Sequence, residues 1–331
     1  MLISDKQKKI LTLLADGEFH SGTELADFLC VSRSAICKQL GGLSALGIYH
    51  SAVSGKGYRL DKRLELLDEF TIHGMLGEHN KALVSALEIH DTLTSTNSYL
   101  AECSQDNAGS GLVCFTEHQS AGKGRRGRQW VSPFGSNIYM SILWRFQQDG
   151  IACTGGLSLA VGVAVIRALK TYGFNEVGLK WPNDIYCQGK KLGGILIEVS
   201  GEADGPCAVI IGLGLNLFLP KIQGQTITQA WTDLTEMSGE KLLFRNKLAG
   251  MVLNEILSVV NGFEFAGIKA YVDEWRSYDC LKGILATLFI GQQQITGIIQ
   301  GIDDNGLLLI NKSDGTLQAF ASGEVSFNVA T

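Results

Sequence analysis

Apolar positions recur at helical spacing from Lys8 to Leu14 and stop at the turn-forming pair Asp16-Gly17. Ser21, followed three residues on by Glu24, has the pattern of a capping box and predicts a short helix with Leu25, Phe28 and Leu29 on one face. Cys30-Val31-Ser32 leaves room only for a tight link, and Ser32 can cap a second helix through Ile36, Leu40 and Leu43. Two short helices so connected form a helix-turn-helix, here about residues 22–41. Residues 49–53 and 57–60 read as two strands around Ser54-Gly55-Lys56, a basic-tipped hairpin or wing. Residues 61–80 are polar and mixed, predicting a linker that passes through one or two short helices.

From about residue 84 the pattern becomes that of a larger domain. Residues 87–90 and 111–116 read as strands, and the helix between them starts at Ser95 or Thr96 with Tyr99 and Leu100 inward. Residues 137–144 put Ile138, Met140, Ile142 and Trp144 on one strand face. Residues 156–169 form a strongly apolar helix in which Gly162 permits close packing. Residues 177–186 and 190–199 resemble two antiparallel strands, with Pro182 marking an edge, bulge or loop. Residues 208–216 read as a buried strand, and 241–260 and 265–275 as helices. Five apolar segments near 284–289, 295–300, 306–310, 317–320 and 324–328, separated by Gly, Asp and Asn turns, predict a small β-barrel. The chain is therefore α+β and multidomain, divided as 1–63, 64–279 and 280–331.

Charge qualifies this picture. The 331 residues hold 28 Lys plus Arg against 33 Asp plus Glu, net -5, which excludes a protein whose whole surface coats nucleic acid. A small DNA-reading module remains open. Seven cations against five anions in residues 1–60 give that part +2 and leave -7 for the rest. Ser32, Arg33, Ser34, Lys38 and Gln39 on the second helix, with Lys56 at the wing tip, are the candidate DNA contacts. The alternative is a small helical cap that binds no DNA. The eight cysteines are scattered without a CxxC pair and most sit among apolar residues, as core thiols of a reducing compartment do. No HExxH, signal-type segment or uninterrupted 18-residue apolar run occurs, so the expectation is a cytoplasmic protein with no membrane partner.

The candidate chemistry starts from an excess of glycine, 40 residues of the 331. Positions 122 to 128, Gly-Lys-Gly-Arg-Arg-Gly-Arg, hold four cations and three glycines, followed by Trp130. Glycine at this density destabilises a surface helix, whereas a loop can wrap guanidiniums and backbone N–H groups around anionic oxygens. There is no Walker A motif. The literal GxGxxG at 122–127 is too charged and too far from its strand to start a dinucleotide-binding helix. A nonspecific nucleic-acid arm would not need Trp130 beside it. Lys180 and Lys191 lie beside apolar strands and, with the loop, suggest an enclosed polyanion. Ser95, Thr96 and Asn97 offer hydroxyls and an amide to a neutral polar head. Gly212 and Gly214 leave room for a planar ligand, with Asn216 supplying an amide; a central strand with two packing glycines is the alternative.

Taken together, SRSAICKQL, TSTN, TEHQSAGKGRRGRQW, SPFGSNIYMS, KWPND, KLGGILIE and GLGLN closely resemble bacterial biotin–protein ligases that double as the biotin operon repressor. The resemblance covers nearly the whole chain. It implies a winged helix-turn-helix, a central class II aminoacyl-tRNA-synthetase-like biotin/lipoate ligase domain and a C-terminal SH3-like domain. It implies synthesis of biotinyl-5′-AMP from biotin and Mg-ATP, then transfer of biotin to a lysine of a biotin carboxyl carrier protein. As corepressor, biotinyl-5′-AMP would promote a homodimer on operator DNA; a ligase without repression is the alternative.

By motif, Ser95, Thr96, Asn97 and Gln119 look like contacts to the biotin head, with Lys123, Gly124, Arg125 and Lys191 also on the biotin side. Arg125, Arg126, Arg128, Trp130, Asn183, Gly212, Gly214, Asn216 and Trp231 look like the nucleotide side. Lys191, Arg125, Lys180 and Asp184 look catalytic, Asp184 doubling as candidate Mg2+ ligand and base. One departure stands out: repressor members often read GRGRRGR, where this chain has GKGRRGR, so Lys123 keeps the charge without the guanidinium fork.

Overall fold

Ser4 and Gln7 cap each other reciprocally, so the first helix, α1 (Asp5–Leu14), starts ahead of its apolar pattern. The computed structural model describes residues 3–147, 154–201, 205–239 and 243–327. Ser21 and Glu24 form the expected box on α2 (Gly22–Leu29), Ser32 caps α3 (Arg33–Gly41), and β1 (His50–Val53) pairs with β2 (Gly57–Leu60) as a wing. Leu11, Leu14, Leu25, Ile36 and Leu40 close a small core of their own. Phe28 stays outside it, 59% exposed, because three short helices bury only the narrow stripe through Leu25 and Ala26.

The stretch after the wing is not a free linker. Its helices α4 (Glu69–Gly74) and α5 (Glu78–Lys81) follow a segment tied into the large domain, and Leu67, Ile72 and Leu76 enter that domain's core. Arg245, 4% exposed, donates to the Glu117 carboxylate and to the carbonyls of Asn137 and Glu65. Asn246 accepts from the Asp68 N–H at 2.8 Å and donates to the Leu66 carbonyl at 2.8 Å.

The large domain is built on a seven-stranded sheet. Its strands are β3 (Ala86–His90), β4 (Leu112–Thr116), β5 (Ile138–Phe146), β6 (Val177–Lys180), β7 (Asp184–Cys187), β8 (Lys190–Gly201) and β9 (Cys207–Leu215). They lie in the order β3-β4-β5-β9-β8-β7-β6, parallel only between β3 and β4. Helix α6 (Thr96–Gln105) covers one face, where Leu100 meets Leu112, Cys114 and Leu143. Helix α7 (Leu157–Tyr172) packs on the other face. Two short helices, α8 (Lys221–Gly224) and α9 (Leu234–Ser238), lead to α10 (Arg245–Ala266), which packs beside α7. With both faces covered, β5 is buried along nearly its whole length rather than on one face only.

Three further expectations change. The strand expected over 177–186 is a hairpin, β6 and β7, turned at Trp181-Pro182-Asn183. Helix α10 runs on to Ala266, so the helix expected from 265 starts as α11 (Val272–Tyr278). Although α10 is long and apolar enough to cross a bilayer, it is a mostly buried core helix. Exposed Cys30, Cys37 and Cys280 depart from the core-thiol reading, while Cys114, Cys187 and Cys207 fit it; Cys153 lies outside the described residues. The chain ends in β10 (Leu285–Ile290), β11 (Gln293–Ile302), β12 (Leu308–Lys312), β13 (Leu317–Phe320) and β14 (Glu324–Ser326). These form one antiparallel sheet, ordered β13-β12-β11-β10-β14.

Candidate active site

Where β6 turns into β7, the backbone of Asn183 is fixed by a bond from the Ile195 N–H at 2.9 Å, and its side chain donates to the Ile195 carbonyl at 2.8 Å. That anchoring sets the next residue, Asp184, against two lysines. Lys191 Nζ lies 2.7 Å from Asp184 Oδ1, and Lys180 Nζ lies 3.9 Å from Oδ2. Gly194, across the hairpin, gives the Lys191 side chain its passage: a Cβ there would sit 3.4 Å from Nζ. Lys180 is nearly enclosed; burial pulls its ammonium below the usual lysine value, Lys191 adds to this, and Asp184 opposes it. Asp184 is thus held in an ion triad with the two lysines. Among the described residues, no group of three His, Cys, Asp or Glu side chains is placed to hold a metal ion.

The glycine-rich segment lies over these groups as a pinched loop. Gly124 N–H bonds to the Arg128 carbonyl at 2.7 Å and Trp130 N–H to the Gly122 carbonyl at 2.8 Å. Its tip passes through the left-handed region at Arg126, φ 56°, and Gly127, φ 73°, a turn that glycine adopts without steric cost. Arg125 points inward and donates to Asn183 Oδ1 at 3.0 Å; burial lowers its guanidinium pKa. Arg126 and Arg128 line the same cavity and pair with Glu324 on β14. The bond from Arg128 holds the Glu324 carboxyl below its ordinary value. Lys123 faces Glu198 at 3.9 Å.

The neutral groups occupy another part of the same cavity, whose lining includes Ser95, Thr96, Asn97 and Gln119 together with Lys123, Gly124 and the loop arginines. Ser95 is the N-cap of α6, yet its side chain makes no capping bond. Gln119 Oε1 accepts from the Thr96 N–H at 2.9 Å, and Gln119 Nε2 donates to Ser132 Oγ at 3.0 Å. Ser141, fully buried on β5, places its hydroxyl 2.7 Å from Thr96 Oγ1 and 2.6 Å from Asn97 Oδ1.

The two glycines of β9 have side-chain neighbours of their own. A Cβ on Gly212 would lie 2.1 Å from Asn97 Oδ1, and one on Gly214 would lie 2.4 Å from the Trp130 indole. Gly212 therefore makes room for Asn97 and belongs with the neutral groups, whereas Gly214 seats Trp130. Trp130 Nε1 is buried without a partner, and Lys191 Nζ sits 5.6 Å from the ring centroid.

Two expected ligand contacts do not line the cavity. Asn216 donates to the Thr232 carbonyl at 3.1 Å within the core, and Trp231 Nε1 donates to the Gly224 carbonyl at 3.1 Å with its ring against Gly224. The main chain about Trp231 bonds to the main chain of Lys191 on both sides. Ser141, Glu198 and Glu324 were missed from the sequence: an isolated serine or glutamate there carries no local signal, and their partners are far away along the chain.

In the N-terminal module, Arg33, Ser34, Lys38 and Lys56 are exposed. Ser32 is committed to capping α3, accepting from the Ala35 N–H at 3.3 Å. Gln39 Oε1 accepts from the Ser4 hydroxyl at 3.1 Å, which ties this side chain to the N-terminus of α1. Arg59 on the wing adds an exposed cation, 4.6 Å from the Phe19 ring centroid.

Comparison with known proteins bears on both regions. Residues 90–216 match the biotin/lipoate A/B protein ligase family, 282–328 the biotin protein ligase C-terminal domain and 6–59 an HTH domain. The bifunctional ligase/repressor BirA of Escherichia coli (strain K12) is 38% identical over 325 residues, 97% of each chain. The protein of the same description from Bacillus subtilis (strain 168) is 31% identical over 315 residues, 93% of this chain and 94% of that one. A biotin protein ligase from Aquifex aeolicus, solved in complex with biotin and ATP, superposes with a TM-score of 0.62 at 28% identity. That match covers 74% of this chain and 99% of the other.

Proposed function

Because this chain belongs to the bifunctional ligase/repressor family of biotin protein ligases, we propose that it joins biotin to protein and represses transcription. It activates biotin with ATP to biotinyl-5′-AMP, then passes biotin to a lysine of a biotin carboxyl carrier protein. The observation that carries the enzymatic reading is one cavity lined both by the neutral set Ser95, Thr96, Asn97 and Gln119 and by the cationic set Lys180, Lys191 and Arg125. A polar uncharged ring and a phosphate need these two environments, and the sheet supplies them side by side.

Neither half-reaction needs a protein nucleophile. The biotin carboxylate attacks the α-phosphorus of ATP and pyrophosphate leaves, so two anions must meet. Lys191 and Lys180, already partly desolvated, offset their repulsion, while Arg125 turns from Asn183 to the adenylate phosphate. Asp184 keeps Lys191 aimed until phosphate oxygens replace it. Mg2+ would arrive with ATP as part of the substrate and offset phosphate charge, and Asp184 is the residue that would hold it. The loop at 122–128 excludes water from the mixed anhydride. The carrier lysine then attacks the activated carbonyl and AMP leaves. Asp184, released as Lys191 turns to phosphate, is the candidate to take the amine proton.

The exposed cations of the N-terminal module favour the bifunctional reading over a ligase alone. Biotinyl-5′-AMP acts as corepressor, ordering the loop and favouring a homodimer that sets two modules on an inverted repeat of operator DNA in the cytoplasm. Incubation with labelled ATP and either biotin or lipoate tests the enzymatic half. Adenylate forms with biotin; adenylate with lipoate alone overturns the reading. Anisotropy titration of operator DNA tests the other half: affinity rises with adenylate, and an affinity indifferent to adenylate rejects the coupling.

A further inference from the structure

Hydrogen-bond polarity around α6 can be followed atom by atom. Glu198 Oε2 lies 2.7 Å from Asn97 Nδ2, and a carboxylate only accepts, so the amide must turn its NH2 group there. Asn97 Oδ1 then faces Ser141 Oγ at 2.6 Å, and a carbonyl oxygen also only accepts. Ser141 is also placed to donate to Thr96 Oγ1 at 2.7 Å, so its one proton is shared between these two acceptors. The Thr96 hydroxyl donates to Gln119 Oε1 at 3.3 Å, an oxygen that also accepts from the Thr96 N–H at 2.9 Å. The carboxylate at one end thus fixes the Asn97 amide and makes Ser141 the donor, while Gln119 takes the Thr96 hydroxyl proton. Thr96 Oγ1 is left with a lone pair, not a proton, for a ligand.

We propose that Glu198 and Ser141 are positioning residues for ligand specificity: they hold Asn97 in one amide orientation and present Thr96 to the ligand head as a hydrogen-bond acceptor. The matching ligand group is an N–H beside a carbonyl, which a cyclic urea supplies. Gly212, opposite Ser141 in the β5–β9 register, keeps the space that Asn97 occupies. Lys123, facing Glu198 at 3.9 Å, places a cation beside the carboxylate that sets the direction, and a compact ammonium suffices for this. This inference rests on the biotin reading of the cavity. Neither Glu198 nor Ser141 is among the reacting groups.

The test compares the full-length wild type with Glu198→Gln and Ser141→Ala in adenylate synthesis, using biotin and 2-iminobiotin, whose ring carbonyl is replaced by an imine. Glutamine can donate as well as accept, so E198Q lets the series reverse; S141A removes its middle donor without changing charge. In both variants KM for biotin rises roughly tenfold, as expected for one misdirected buried bond, while KM for ATP stays within about twofold. The preference for biotin over 2-iminobiotin narrows, and Glu198→Asp restores part of it. Folded variants with unchanged KM for biotin and unchanged preference overturn the proposal, and S141A decides it alone if E198Q melts early. Wild-type protein inactive with biotin overturns the underlying functional reading instead, so the two failures are distinct.

Discussion

The cations of the N-terminal module and those of the cavity differ in how they are kept. Arg33, Lys38, Lys56 and Arg59 are exposed and, among the described residues, make no ion pair. In the cavity, Lys191 and Lys180 face Asp184, Lys123 faces Glu198, and Arg126 and Arg128 face Glu324. The first set is solvated, and on the proposed reading it binds DNA by displacing mobile counterions. On the same reading the second holds protein carboxylates where phosphate oxygens would come; Lys180 and Lys191 are already desolvated there, while Lys123, Arg126 and Arg128 stay half-exposed at the rim. The proposed function thus gives one protein two routes to a polyanion, one sensitive to salt and one, through Lys180 and Lys191, largely sheltered from it.

Raising salt from 50 to 200 mM separates these routes most widely. DNA affinity falls on the order of 10³-fold while the rate of adenylate formation changes less than about twofold. Parallel anisotropy and adenylation assays on the same sample check this, and equal salt sensitivity would erase the distinction. Substituting Lys38 or Lys56 by Ala flattens the log–log salt slope by about one for each phosphate that is no longer neutralised, and leaves adenylation alone.

The next effect sharpens the comparison from the cavity side. Lys191→Ala lowers single-turnover adenylate synthesis at least tenfold, about 1.4 kcal/mol, more through kcat than through KM, because the lysine acts on charge that develops in the transition state. Normal single-turnover synthesis in this variant rejects the role.

The smallest effect lies at the rim. Glu324→Gln frees Arg126 and Arg128 from β14 and speeds adenylate dissociation about two- to fivefold, the range of a half-exposed ion pair. Acid mimics it. The folded-state pKa of Glu324 is held below its ordinary 4.5, so the latch is intact above that value and is lost as pH falls through the depressed pKa. A dissociation rate that stays flat across this window, or is unmoved by E324Q, shows that β14 does not restrain the loop.

What could be read from the sequence followed the range of the interactions. Ser21 with Glu24, Ser32 at its helix and the glycines of the wing act on neighbours a few residues away, and each of these elements is present. The cationic loop, Lys180 and Lys191 were legible because charge among apolar or glycine residues demands an anion. Gly212 and Gly214 showed that space was being kept, but what occupies it comes from residues 97 and 130, far away in sequence. Asn216 and Trp231 carry polar groups with ligand-like chemistry, which here bond to the main-chain carbonyls of Thr232 and Gly224. Glu198, Ser141 and Glu324 lack any local pattern; only the sheet and the packing of the C-terminal strands bring them to the site.

The bonds from Arg245 and Asn246 to residues 65–68 have a geometric consequence. They weld the segment leaving the wing onto the first turn of the longest helix, so the DNA-reading module is seated on the ligase body rather than swinging from it. In any symmetric pair of chains, the span between the two reading helices then becomes a dimension of the enzyme itself. The catalytic body serves as a ruler, and the spacing of half-sites it can bridge is written as much in Glu65, Asn246 and Arg245 as in the side chains that touch DNA.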